Sequence, residues 1–171
     1  MRYSVEYRHG APVYISDSGD NTTGGAVGDH TIILREFLKL RSCCGKRVLV
    51  TAIWDEKAVE EAWKHEEGEV FTLTVGKDYD ENTRAVTVNG RLKKKGNLMG
   101  YMGCETIAVG KCVTLQVGDV DFCVIDRPGS FISKHGRLLS ETTSETVTLR
   151  SEDVSKARPL LDDLNNLFSK I

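Results

Sequence analysis

The chain has 171 residues, of which 40% are hydrophobic and 28% charged, and such a composition is ordinary for a single soluble domain with a real core. A formal net charge of −2 argues against nucleic acid as a partner, because phosphate-binding surfaces are usually strongly basic. No stretch has the length of a membrane span and the first residues lack a signal-peptide core, so the sequence predicts a cytoplasmic protein with no membrane partner.

The first part of the chain alternates strand-like and helix-like patterns. Ala11–Ser16 has the pattern of a buried strand, and an amphipathic helix is predicted near 30–41. Arg47–Trp54 is apolar on both faces, as is typical of a strand in a covered sheet. A second helix is predicted near 55–66, with Asp55 as its N-cap.

The middle of the chain has the pattern of a β-meander, and the basic stretch Arg91–Gly96 within it is interpreted as a solvated hairpin end. The turn "VGDV" predicts a tight hairpin, and a helix interrupted by Pro159 is predicted near the C-terminus. The predicted fold class is therefore α/β, with a mixed sheet, a strand-helix-strand-helix start, a β-meander and a C-terminal helix. Four alternating segments make up the meander: Glu69–Gly76, Arg84–Lys94, Gly110–Gly118 and Val120–Arg127.

The cysteines predict reduced thiols rather than a disulfide framework or a zinc site. Their number is odd, and none forms a C-x-x-C pair or another spacing that suits a metal. Two of them lie in apolar, strand-like segments, where a free thiol behaves as a small hydrophobic group. The five are Cys43, Cys44, Cys104, Cys112 and Cys123.

A glycine-rich loop, "SDSGDNTTGGAVGDHT", spans Ser16–Thr31 between the first predicted strand and helix. This order suits anion binding, because N–H groups at a helix start point outward and glycines allow close approach to the backbone. The loop is neither a P-loop nor a dinucleotide fingerprint, and its aspartates would repel phosphate. They could instead bond to the loop itself or hold a cation, and Asp29 is placed to cap the helix. A ligand site and a self-bonded turn both remain open on these residues.

The same loop resembles the start of the C-terminal domain of the microcystinase C (MlrC) metallopeptidase family. That domain carries a D-x-x-D-N-x-x-G-G-x-x-G-D-x-T motif before a leucine-rich helix. Later segments, among them "VLVTAIWDEKAVEEAW" and "GKCVTLQVGDVDFCVID", are similar to strands, a helix and a hairpin of that domain. The resemblance covers about 11–133 of a predicted single domain over 1–171, and 134–171 forms a divergent tail. The motif residues here are Asp17, Asp20, Asn21, Gly24, Gly25, Gly28, Asp29 and Thr31, followed by Leu34 and Arg35.

The resemblance also implies how the chemistry is divided. Family members are longer, and an N-terminal α/β domain supplies their zinc ligands, so zinc is the cofactor of the full-length family. The histidines of this chain are widely spread and form no H-E-x-x-H motif, so we expect neither catalytic residues nor metal ligands here. The resemblance implies that the loop binds substrate through Asp20, Asn21, Thr22, Thr23, Gly24, Gly25, Gly28 and Asp29. We therefore expect the main-chain amides of the loop glycines to point into a concave surface, and Asp20 and Asn21 to bond mainly to the loop's own backbone.

Three functional hypotheses follow. In the first, the chain is part of a zinc metallopeptidase or amide hydrolase, binding a peptide or small carboxylate through the loop without being catalytic alone. In the second, it is a non-catalytic module that binds a small ligand or anion. In the third, it is a subunit that completes a separately encoded zinc domain, and self-association into a homo-oligomer is a further form of partnership.

Overall fold

The computed structural model describes residues 19–39, 47–79, 83–99 and 107–129. The predicted strand at 11–16, the C-terminal helix and the tail at 134–171 lie outside these residues, so the single-domain prediction stays a prediction. The elements in chain order are a 3₁₀ turn (Thr22–Gly24), α1 (Ile32–Lys39), β1 (Val48–Trp54), α2 (Glu56–Ala62), β2 (Val70–Val75), β3 (Val86–Met99), β4 (Ala108–Val117) and β5 (Val120–Ile125).

The strands form one mixed sheet in the order β1-β5-β4-β3-β2. β1 pairs with β5 in parallel, whereas the other three pairings are antiparallel. Gly118 has a φ of +58° between β4 and β5, and this left-handed backbone closes the predicted tight hairpin. The predicted α/β class with a mixed sheet and a β-meander is confirmed.

Both helices in the described part of the chain are present but shorter than predicted. α2 begins where Asp55 caps it, since its Oδ1 accepts the N–H of Ala58 at 3.1 Å. The Oδ2 of the same carboxylate accepts the N–H of Gly76 at 2.8 Å, which ties the start of α2 to the end of β2. Neither of these helices is long and apolar enough to cross a membrane.

The core lies mainly between the helices and one face of the sheet. Leu34 of α1 and Val59 of α2 are buried in the same cluster as Phe122 and Val124 of β5. Alternate residues of β5 belong to a second cluster, so the two clusters lie on opposite faces of this strand. β5 is buried along its whole length, as expected for a strand covered on both faces.

The basic stretch Arg91–Gly96 is not a hairpin end, and that interpretation is wrong. It lies inside the long strand β3, and the register shifts between Leu92 and Lys94. Lys93 is only 15% exposed, and its Nζ lies 2.8 Å from Oδ2 of the fully buried Asp121. Arg47 pairs with the same carboxylate at 2.7 Å, so the buried charge has two partners.

The two cysteines that the structure describes agree with the prediction of reduced thiols. Cys112 and Cys123 are buried and free, and both belong to the second cluster of the core. The remaining three cysteines lie outside the described residues.

Candidate functional site

Asp20 organises the glycine-rich loop through its carboxylate. Oδ1 accepts the main-chain N–H of Gly28, and Oδ2 accepts that of His30, both at 2.8 Å. These bonds join the start of the loop to its end, much as an Asx turn does over a shorter span. The prediction that Asp20 bonds to the loop's own backbone is confirmed.

The predicted cradle of open backbone amides is wrong. The N–H of Gly24 donates to the carbonyl of Asn21 at 2.9 Å, and that of Gly25 donates to the carbonyl of Thr22 at 3.3 Å. The N–H of Gly28 is taken by Asp20. The reason is the 3₁₀ turn at Thr22–Gly24, since the amides of Gly24 and Gly25 bond to carbonyls three residues earlier instead of facing a ligand.

Two glycines in the loop are required by the backbone, for different reasons. Gly25 has a φ of +93°, and a Cβ built on it would meet no heavy atom within 4 Å. Gly28 has a φ of +82°, and its Cβ would lie 2.4 Å from Cγ2 of Thr22. Gly25 therefore lies in open space at the loop surface, whereas Gly28 allows the two arms of the loop to pack together.

The loop is fixed beside the ends of β1 and β5 by two hydrogen bonds. The carbonyl of Gly28 accepts the N–H of Trp54, the last residue of β1, at 2.7 Å. Thr22 Oγ1 donates to the carbonyl of Gly129, beyond the end of β5, at 3.1 Å. The loop thus lies at the carboxyl ends of the two parallel strands, the position where open α/β sheets bind their ligands.

Asp29 is buried beside the loop and does not cap α1, contrary to the sequence prediction. Its Oδ2 accepts a hydrogen bond from the hydroxyl of Tyr79 at 2.7 Å and lies 3.4 Å from Nζ of Lys77. The first turn of α1 instead uses the carbonyl of Thr31, which accepts the N–H of Arg35. The bond to Asp29 raises the pKa of Tyr79, because it stabilises the protonated phenol.

The fold brings Asp20, Asp29 and His30 together. Each offers one potential metal-ligand atom, and these atoms lie within 4.8 Å of one another. No metal ligand was predicted at His30, because the histidines are widely spread and form no metal-binding motif, whereas the fold closes the ten residues that separate it from Asp20. Asp29 and His30 are adjacent in the sequence, but this signal alone is too common to indicate a site.

The other loop residues predicted to bind substrate differ in how exposed they are. Gly24 and Gly25 are exposed, Asn21 and Thr22 are half-buried, and Gly28 and Asp29 are buried. Thr23 lies in the 3₁₀ turn. The histidine at 65 lies away from the loop, stacked on Phe71 and hydrogen-bonded to Glu69.

Comparisons with known proteins agree with this fold. The family described as MlrC C-terminus matches residues 15–136, and the chain therefore belongs to that family. A crystal structure of a protein from Mesorhizobium sp. BNC1, named as a "Putative metallopeptidase", matches with a TM-score of 0.65 and 17% identity. The match covers 82% of this chain and 30% of that protein, so this chain spans less than a third of its length. No curated protein matches the chain.

Zinc is the metal that the family resemblance implies, and the cluster at Asp20, Asp29 and His30 offers donors for it. Two carboxylates and one imidazole are donor types that zinc accepts, and a catalytic zinc usually takes three protein ligands. Asp29 Oδ1 is buried and has no hydrogen-bond partner among the described residues, although a buried carboxylate oxygen normally has one. The cluster of Asp20, Asp29 and His30 therefore fits a zinc ion in the type and number of its donors.

Proposed function

We propose that this chain acts as the C-terminal part of a metal-dependent amide hydrolase and contacts a peptide or small carboxylate substrate through the loop at residues 19–31. The family match over 15–136 carries the proposal. A zinc ion in such an enzyme would polarise the scissile carbonyl and activate water, and this chain's contribution is to bind and orient the substrate.

The loop geometry favours a surface that contacts the substrate through close fit and not through hydrogen bonds from main-chain amides. Gly24 and Gly25 are exposed, and the space in front of Gly25 is open, so a substrate backbone can approach the loop closely. The internal bonds of the loop and its contacts with Trp54 and Gly129 hold this surface in place without a ligand. A pre-formed surface reduces the entropy lost on binding.

Lys77 supplies a positive charge beside this surface. Its side chain is 39% exposed, lies 3.4 Å from Asp29 and sits over the ring of Trp54, with Nζ 4.1 Å from the ring centroid. A substrate carboxylate that reached the loop could pair with this ammonium group. The ammonium group of Lys77 therefore explains the proposed preference for a ligand with a carboxylate, which the loop amides do not explain because they are bonded within the loop.

The test is a hydrolysis assay with and without a zinc-bearing N-terminal domain of an MlrC-family member supplied in trans. We expect no peptide hydrolysis by this chain alone, and we expect the mixture to be more active than the zinc domain alone. Gly25→Val should remove that gain. Gly68→Val is the matched control, since Gly68 has a φ of +94°, equally open space and a position away from the loop.

The other hypotheses make different predictions in the same assay. A non-catalytic ligand module would bind a peptide or small carboxylate but would leave the activity of the added domain unchanged. An anion-binding module is disfavoured, because the amides of Gly24, Gly25 and Gly28 are already bonded within the loop. Stable association with the zinc domain, measured by gel filtration, would favour a subunit role.

A further inference from the structure

We propose that Asp20, Asp29 and His30 form a binding site for one divalent transition-metal ion of the zinc type within this chain itself. The ligand atoms of the three side chains lie within 4.8 Å of one another. The proposal goes beyond the hydrolase role above and does not depend on it, because it concerns binding by this chain alone.

The independent observation that points to an ion is the state of Asp29. This residue is 1% exposed, and its Oδ1 has no hydrogen-bond partner among the described residues. Leaving a buried carboxylate oxygen without a partner is costly, and buried charges are normally paired or coordinate a metal. A cation bound by Oδ1 would remove this cost, whereas the bond from Tyr79 to Oδ2 could remain.

The other two ligands are held in position before any ion binds. The N–H groups of Gly28 and His30 fix the carboxylate of Asp20, and each of its oxygens keeps a lone pair beyond the one that the amide uses. The bond from His30 N–H also fixes the backbone from which the imidazole projects. Hydrogen bonds that orient ligating carboxylates are usual around protein metal ions, and the hydroxyl of Tyr79 does the same for Asp29.

The charge balance of the cluster also favours a cation. Asp20 and Asp29 together bring two negative charges when ionised, and Lys77 compensates one of them from 3.4 Å. Lys77 is 39% exposed, so its flexible side chain can move into solvent when a divalent ion approaches Asp29. A divalent ion would balance the charges of both carboxylates, whereas Lys77 balances only one.

The donor types select the class of ion. Imidazole suits zinc and neighbouring transition metals, whereas calcium and magnesium prefer oxygen ligands throughout. Three protein ligands would leave a position for water, as in open zinc sites. We therefore expect Zn²⁺ to bind with a stoichiometry of one and Ca²⁺ to bind much more weakly.

The experiment is a titration of the metal-free full chain with Zn²⁺ and, separately, with Ca²⁺, followed by calorimetry and by the thermal unfolding temperature. We expect one equivalent of Zn²⁺ to bind and to raise the unfolding temperature, an effect that a chelator reverses. His30→Ala and Asp29→Asn should each weaken Zn²⁺ binding at least tenfold. The matched control is His65→Ala, which removes another half-buried histidine that lies beside carboxylates.

His30→Ala keeps the test decisive if Asp29→Asn fails to fold. The bond from His30 to Asp20 is made by the main-chain N–H, which alanine retains. The proposal is overturned if no Zn²⁺ binds at millimolar concentration, or if binding is unchanged in His30→Ala. It is also overturned if His65→Ala loses Zn²⁺ as strongly as His30→Ala does. Since no substrate or second domain is used, these outcomes are separate from the hydrolysis assay.

Discussion

The carboxylate of Asp20 accepts the main-chain N–H of Gly28 at 2.8 Å, and this bond closes the glycine-rich loop on itself. The other oxygen of the same group accepts the N–H of His30, so one side chain satisfies two donors in the part of the loop that leads into α1. The carbonyl of Gly28 in turn bonds to Trp54 at the end of β1. Loss of Asp20 should therefore loosen the loop and its attachment to the sheet together.

Asp20→Ala tests this arrangement. The variant leaves two partly buried N–H groups without their acceptor, and bonds to charged groups are worth more than neutral ones, so we expect the free energy of unfolding to fall by about 3 kcal/mol. The comparison is Asp78→Ala, which removes a single exposed bond from Ala85 N–H and should cost less than about 1 kcal/mol. Urea denaturation of both variants gives the two values, and equal losses would contradict the role assigned to Asp20.

Substitutions of Gly25 and Gly28 distinguish the cost of backbone strain from the cost of a steric clash. Gly25→Ala and Gly28→Ala both place a side chain at positive φ, which we expect to cost about 1 kcal/mol. Gly28→Ala also places its Cβ 2.4 Å from Cγ2 of Thr22, so its total cost should reach about 3 kcal/mol.

The double variant Gly28→Ala with Thr22→Ser is the control for this clash. Serine lacks Cγ2 but keeps the hydroxyl that donates to the carbonyl of Gly129, so part of the lost stability should return. A double-mutant cycle measures the coupling between the two positions. If the second substitution adds its own loss and recovers nothing, the clash is not the reason that position 28 requires glycine.

The sequence predicted much of the sheet because each strand carries its own pattern. β2 alternates exposed and buried residues along its whole length, as predicted, whereas β5 was also predicted to alternate and is instead buried along its whole length because both of its faces are covered. Asp20 was also predicted correctly, since a short carboxylate in a glycine-rich loop commonly bonds to nearby amides. These features depend on residues that are close together in the chain.

The errors arose where distant residues decide the outcome. Asp29 does not cap α1, because it bonds to Tyr79, fifty positions further along the chain. The side chain of Lys93 is largely buried because its ammonium group pairs with Asp121, which belongs to another strand. The grouping of Asp20 with His30 likewise depends on how the loop closes, and no short motif predicts that geometry.

Adjacent lysines of β3 test the role of the buried Asp121. Lys93 is 15% exposed and pairs with this carboxylate at 2.8 Å, whereas Lys94 is 53% exposed and pairs with Glu67 at 3.1 Å. We expect Lys93→Met to lower the free energy of unfolding by about 2 kcal/mol, less than loss of a sole partner because Arg47 remains. Lys94→Met should change it by less than about 0.5 kcal/mol. Thermal or urea unfolding of the two variants gives the comparison, and equal effects would show that Asp121 does not need Lys93.

The buried thiols should be unreactive while the protein is folded. Burial raises the pKa of Cys112 to about 12, with a smaller contribution from the charge of Asp126, and burial also raises the pKa of Cys123. Because the thiolate is the reactive form, at pH 8 only about one Cys112 in ten thousand would be ionised, and access is also blocked. We expect iodoacetamide to leave both residues unmodified in the native protein, as peptide mass spectrometry would show. The same protein unfolded in guanidinium is the control and should be labelled at both positions.

The same thiols give the stability of the protein a pH dependence above neutrality. The unfolded chain releases these protons near pH 9, whereas the folded chain retains them to a higher pH, so the unfolded state binds fewer protons in this range. The contribution of the two thiols is therefore fully present below pH 9 and is lost as the pH rises from about 9 towards 12. Urea denaturation at pH 8 and at pH 10 should show a larger loss of stability in the native sequence than in the variant with Cys112→Ala and Cys123→Ala. An equal loss in both proteins would show that these thiols titrate alike in the folded and unfolded states.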